Sequence, residues 1–101
     1  AYQELLSQYP GSAQARNSLV SLGDIQLDHM GRPGRALKSF DSYLARTRKG
    51  TLAQEAAFGR ARALRALGRT AEEIRALQTF LAAFPAAIQA PRSRQRLEEN
   101  K

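Results

Sequence analysis

The sequence predicts an all-α protein: an α-solenoid of stacked antiparallel helix hairpins, with about two full repeats, a preceding half repeat and a C-terminal capping helix. Three observations predict it. The first is a recurring register. Tyr2, Leu6 and Pro10 return as Phe40, Leu44 and Arg48, and again as Leu77, Leu81 and Pro85, with steps of 38 and then 37 residues. Ala15, Ala53 and Ala90 keep the same step, as do Leu5, Tyr43 and Phe80, and Leu22, Arg60 and Leu97. A fixed period in this range marks a solenoid of helical units. The second is that apolar residues between chain breaks recur at helical spacing. The third is that no segment alternates with period two, so no strands are expected.

Each element follows from its own residues. Tyr2, Leu5, Leu6 and Tyr9 share one helical face, and Pro10-Gly11 breaks it. Ser12 suits the N-cap of a long helix reaching about Met30, with Leu19, Leu22, Gln26 and Met30 on its stripe. Gly31-Arg32-Pro33-Gly34 is a tight connection, and Pro33 suits a first helical position. Leu37, Phe40 and Leu44 mark a helix to about Arg46. Arg48-Lys49-Gly50 is the next break. Thr51-x-x-Gln54 reads as a capping box that opens a helix to Leu67 through Ala53, Ala57, Ala61 and Leu64. Gly68 stops it. Thr70-x-x-Glu73 reads as a second capping box, followed by a stripe of Ile74, Leu77, Leu81 and Phe84, and Pro85 ends that helix. The last segment, from about Gln89 to Glu99, has Pro91 in its first turn and Leu97 as its apolar anchor, as a polar capping helix requires. The expected layout is a single domain: 1–10 the second helix of a truncated repeat, 12–47 and 51–85 the full repeats, 88–99 the cap. The chain opens without Met inside a helical pattern, and is therefore read as a fragment of a longer protein.

Composition narrows the function. The hydrophobic fraction is 43%, but much of it is alanine, so the core must come from repetition rather than bulk. There is no cysteine, which excludes disulfides and thiolate metal sites. No apolar run approaches the roughly 20 residues of a membrane-spanning helix. The net charge of +7 fits an acidic partner, an anionic surface or nucleic acid. It equally fits genomic composition, since thirteen of the sixteen basic residues are Arg in a chain rich in Ala, Leu and Gly.

These residues resemble tetratricopeptide (TPR) repeats along essentially the whole chain. The family places a small residue where the two helices of a hairpin cross, as Gly23 and Ala61 do. It places a turn glycine seven residues later. Gly68 fits, whereas Gly31 comes eight later, so the first full repeat carries one extra residue in its long helix or turn. Phe40 with Tyr43, and Leu77 with Phe80, match the second-helix apolar positions, and Pro10 and Pro85 the closing proline. Arg48 departs from that proline. Glu73 departs from the usual small residue, which Ala36 supplies, and the family tryptophan is absent. The resemblance implies a right-handed superhelix that binds proteins and peptides, with no cofactor. Tyr9-Pro10-Gly11-Ser12 with Ala15, and Phe84-Pro85 with Ala90 and Leu97, resemble the linkers of bacterial envelope TPR proteins such as the Tol–Pal coordinator and outer-membrane assembly lipoproteins. That finer resemblance implies a periplasmic adaptor. TPR segments also serve as sensor segments of signalling proteins and in cytoplasmic co-chaperones.

The family's groove-lining positions map onto Asn17, Val20, Ser21, Asp24 and Asp28, then Glu55, Phe58, Arg62 and Arg65, with Arg92, Gln95 and Arg96 from the cap. The groove would have an acidic and a basic wall. Arginine forks bind carboxylates in a bidentate way, so Arg62, Arg65, Arg92 and Arg96 are expected to hold an acidic segment or a C-terminal carboxylate. The opposing reading is that they are solvated, or pair with Asp24, Glu55 and Glu99. Phe58 is either a groove anchor or a packing residue between repeats.

Chemistry is sparse elsewhere. His29 is the only histidine, and with no cysteine it cannot complete a metal site. Glu72-Glu73 and Glu98-Glu99 are adjacent in sequence, so their side chains diverge round the helix and make poor acid–base dyads. No enzyme is expected. The rivals to a peptide groove are nucleic-acid binding by a strip of Arg46, Arg48, Lys49, Arg60, Arg62, Arg65 and Arg69, and a structural spacer that could dimerise through the exposed edge of the half repeat at 1–9.

Overall fold

The computed structural model describes residues 13–101. The expected N-terminal half-repeat helix, the Pro10-Gly11 break and the Ser12 cap lie outside them. Five helices follow in order: α1 (Ala13–Asp28), α2 (Pro33–Leu44), α3 (Thr51–Ala66), α4 (Thr70–Ala83) and α5 (Ala90–Glu99). There is no strand among the described residues. The fold is an all-α, TPR-like helical repeat. Each helix packs on its chain neighbour, and α1 also reaches α3, while the backbones of α2 and α4 make no close approach. The first helices of the two hairpins therefore stack directly and the second helices splay.

Phe40 is the keystone of this stacking. It is wholly buried. Its ring lies between Gly23 of α1 and Gly59 of α3, where added Cβ atoms would sit 2.6 and 2.5 Å from ring carbons. Two interior glycines each sacrifice about 1 kcal/mol of helix propensity against alanine. They do so because no larger residue leaves room for the ring. Around Phe40 pack Val20, Ala36, Tyr43, Ala53 and Ala56. The second hairpin repeats the motif on a smaller scale, with Leu77 against Ala61, Leu64 and Ala76. Leu37 touches both clusters and joins the hairpins. One buried polar contact ties the first hairpin: Ser39 Oγ donates to Gln26 Oε1 at 2.7 Å.

The helix ends explain the extra residue of the first repeat. After α3, Gly68 adopts φ +74°, its N–H bonds the carbonyl of Arg65, and Arg69 N–H bonds that of Leu64. This is the paired closure of a Schellman turn. After α1 the chain is one residue wider: Met30 N–H reaches Ile25 and Arg32 N–H reaches Gln26, with Gly31 at φ +61° turning the chain between them. The added residue is taken up in the turn.

Several expectations are corrected. Met30 does not continue the buried stripe; it lies beyond α1, 48% exposed. Val20 faces α2 and is core rather than groove, being 1% exposed. Neither capping box forms. Gly50 and Arg69 occupy the N-cap positions, without side-chain caps, and Thr51 and Thr70 are already helical. Glu73 is drawn elsewhere, to Arg96. Pro33 does begin α2, and Pro91 lies in the first turn of α5, where a missing N–H costs nothing.

Candidate binding groove

Six of the expected site residues line one groove of about 450 Å³. Phe58, Arg62 and Arg65 come from α3, Asp28 from α1, and Arg92 and Arg96 from α5. Their spacing on α3 explains the grouping, since residues three and four apart share a helical face. Leu27, Ala61, Ala66, Glu73 and Leu77 complete the lining. Asn17 and Ser21 lie further back along α1, and neither they nor Gln95 line this groove. Asp24 and Glu55 sit beside it, at the α1–α3 contact.

The arginines divide into two classes. Arg62 pairs with Asp28. Arg96 makes a fork on Glu73, with Nε 2.8 Å from Oε2 and Nη2 3.1 Å from Oε1, and its Nη1 donates to Glu99 at 3.3 Å. The Glu73 side chain is only 2% exposed, so this fork is what lets a carboxylate occupy a position where the family has a small residue. Donating these hydrogen bonds to Glu73 holds the Arg96 guanidinium above its ordinary pKa. Arg96 thereby docks α5 on α4.

Arg65 and Arg92 form no ion pair among the described residues. Arg65 is exposed. Arg92 lies over the Phe58 ring, 5.4 Å from its centroid, a cation–π contact. Phe58 is a groove residue whose ring packs within its own hairpin, on α4, and not between repeats. Its ring packs on Phe80 at 5.8 Å and it also lines the groove.

Acidic residues concentrate at the α1 side. Asp24 is pushed up from 3.8 to about 7, first by burial, then by its hydrogen bond with Glu55 and that residue's charge, with Arg62 acting in the opposite direction and Asp28 adding to the rise. A proton shared between two carboxyls is the arrangement that two acids in contact require near neutrality. Among the described residues no group of three His, Cys, Asp or Glu side chains could hold a metal ion. No helix among them is long and apolar enough to cross a membrane.

A family model for the tetratricopeptide repeat matches residues 55–87. The match runs from α3 through α4 to the α4–α5 connection, and supports the TPR family for this chain. No curated protein matches the chain. TPR units generally mediate protein–protein interaction, and the matched segment holds Phe58, Arg62 and Arg65 on one wall of the groove.

The sequence did not single out Glu73 as a groove-lining residue or Gly59 as a packing residue. For Glu73 the sequence carries a signal: a charged residue in a small-residue position needs a partner if it is buried.

Proposed function

We propose that this protein is a non-catalytic interaction scaffold that holds a segment of a partner protein, carrying at least one carboxylate, in the groove between α1, α3 and α5. The carrying observation is the split among the groove arginines. Arg62 and Arg96 are neutralised from within by Asp28 and Glu73, whereas Arg65 and Arg92 flank Phe58 with no carboxylate of their own among the described residues. A partner supplying a carboxylate beside an apolar side chain would satisfy both guanidiniums and cover the ring. The basic strip that nucleic acid would need is interrupted, since Arg60, Arg62 and Arg69 are paired with Asp41, Asp28 and Glu72.

We place this scaffold in the bacterial cell envelope, as an adaptor, on the linker pattern around Tyr9-Pro10-Gly11-Ser12 and Phe84-Pro85. The cytoplasm, and a sensor segment of a signalling protein, are the alternatives. Fractionation of the full-length protein in its host separates them: recovery with cytoplasmic markers after osmotic release of the periplasm contradicts the envelope.

The groove is tested by affinity capture with the wild type and an Arg65→Ala/Arg92→Ala variant of unchanged circular dichroism. A protein retained at about 0.2 M salt by the first and lost by the second is the expected result. Equal capture by both contradicts it.

A further inference from the structure

The second helices of the hairpins enclose another surface, on a different face of α3. Because α2 and α4 stay apart, a trough of about 760 Å³ opens between them, with α3 as its floor. It is larger than the groove of α1, α3 and α5. Its floor and walls carry Ala57, Ala76 and Ala83, and Leu44 and Phe84 are its larger apolar residues. Alanines let a helix approach closely, and facing helices pack at about 8–10 Å. Along α4 the lining runs from Glu72 to Ala83, roughly 16 Å of helix at 1.5 Å per residue, or about three turns.

The charges at its rim select the partner. Arg60 Nε is 2.6 Å from Asp41 Oδ1. Arg69 makes a fork on Glu72, at 2.8 and 2.7 Å, and that bond holds the Glu72 carboxyl below its ordinary range, with Arg75 and Arg60 adding to the effect. Both rim carboxylates are thus committed. Arg48 and Arg75 have no ion pair among the described residues and remain exposed. The trough is an apolar slot with a surplus of guanidinium on its edges.

We infer that this trough docks an amphipathic α-helix of a partner protein, about three turns long, with its small apolar face on Ala57, Ala76 and Ala83 and acidic flanks against Arg48 and Arg75. The surface is separate from the groove of α1, α3 and α5, so each can fail without the other. The alanine floor favours a helix over nucleic acid, which would need exposed rings to stack its bases.

The test uses the whole chain and a synthetic helical peptide of about 20 residues, with Ala and Leu on one face and Glu on both flanks. A second peptide replaces every Glu by Lys. Amide shifts are mapped by NMR, and affinity is read by fluorescence anisotropy. The acidic peptide is expected to shift Ala57, Ala76, Thr79 and Ala83. The Lys peptide, and an Arg48→Glu/Arg75→Glu variant with the acidic peptide, are expected to bind at least about tenfold more weakly. Arg65→Ala should leave the affinity unchanged. Shifts confined to α1 and α5, equal binding of the two peptides, or no shift at millimolar peptide overturns the proposal. So does a single-stranded oligonucleotide that displaces the peptide from this face.

Discussion

Gly59 brings α3 so close to Phe40 that a Cβ on it would lie 2.5 Å from the ring's Cζ. The contact joins the two hairpins, because Phe40 belongs to the first and Gly59 to the second. Gly59→Ala gains about 1 kcal/mol of helix propensity but overpacks the core, which costs about 1–3 kcal/mol. A net destabilisation of about 1 kcal/mol is expected in urea unfolding. Phe40→Leu makes room, so the double variant should lose clearly less than the two single losses added together. Strict additivity would show that the ring and Gly59 do not meet.

Arg96 and Glu73 form a second tie, between α5 and α4. Removing Arg96 strands Glu73 at a buried position, and removing Glu73 leaves the half-buried Arg96 with Glu99 alone. Arg96→Met and Glu73→Leu are each expected to lower Tm by several degrees, and Arg96→Met to raise amide exchange through α5. The Glu73→Leu/Arg96→Leu double variant, with no buried charge left, should recover most of the loss. A double variant as weak as the sum of both would mean that the fork does not dock the helix.

Asp24 makes stability depend on pH in a defined direction. Its carboxyl titrates at about 7 in the fold against 3.8 ordinarily. Between those values the unfolded chain has lost a proton that the folded chain keeps. Stability therefore falls as pH rises from about 4 to about 7, then levels off. Asp24→Asn should remove that component. The Tm advantage of the variant over the wild type is expected to grow from pH 4 to 7 at fixed ionic strength, and parallel curves would contradict the shared proton.

Ligand recognition should split the groove arginines. Arg65→Ala and Arg92→Ala are expected to weaken partner capture with Tm nearly unchanged, since neither holds a carboxylate among the described residues. Arg96→Met should weaken capture only together with stability, because its role passes through α5. Thermal melts measured alongside capture separate the two effects.

Much of the scaffold was legible from local pattern. Apolar spacing and the Gly and Pro breaks placed all five described helices within about two residues of their observed ends, because both signals act over a single turn. What was not legible depends on neighbours distant in sequence. Thr70-x-x-Glu73 has the form of a capping box, yet Glu73 turns to Arg96, 23 residues away. An interior glycine such as Gly59 reads only as a propensity cost until Phe40 is seen across from it. Val20 fell at a family groove position, but its turn of α1 faces α2. The partners of Arg62 and Arg96 follow from how helices sit against one another, which charge pattern alone does not encode. Arg65 and Arg92 stand out only by elimination, after those pairs are known.

A protein partner seated in the groove beside Phe58 can be caught by site-specific photo-crosslinking. A photoreactive residue is placed at Arg65 in the groove and, separately, at the exposed Arg35 on α2, in the full-length protein in its own cells. The expected result is a discrete protein adduct from position 65, absent from position 35 and lost when Arg92→Ala is added. Adducts of equal yield from both positions, or none from position 65, would contradict the account.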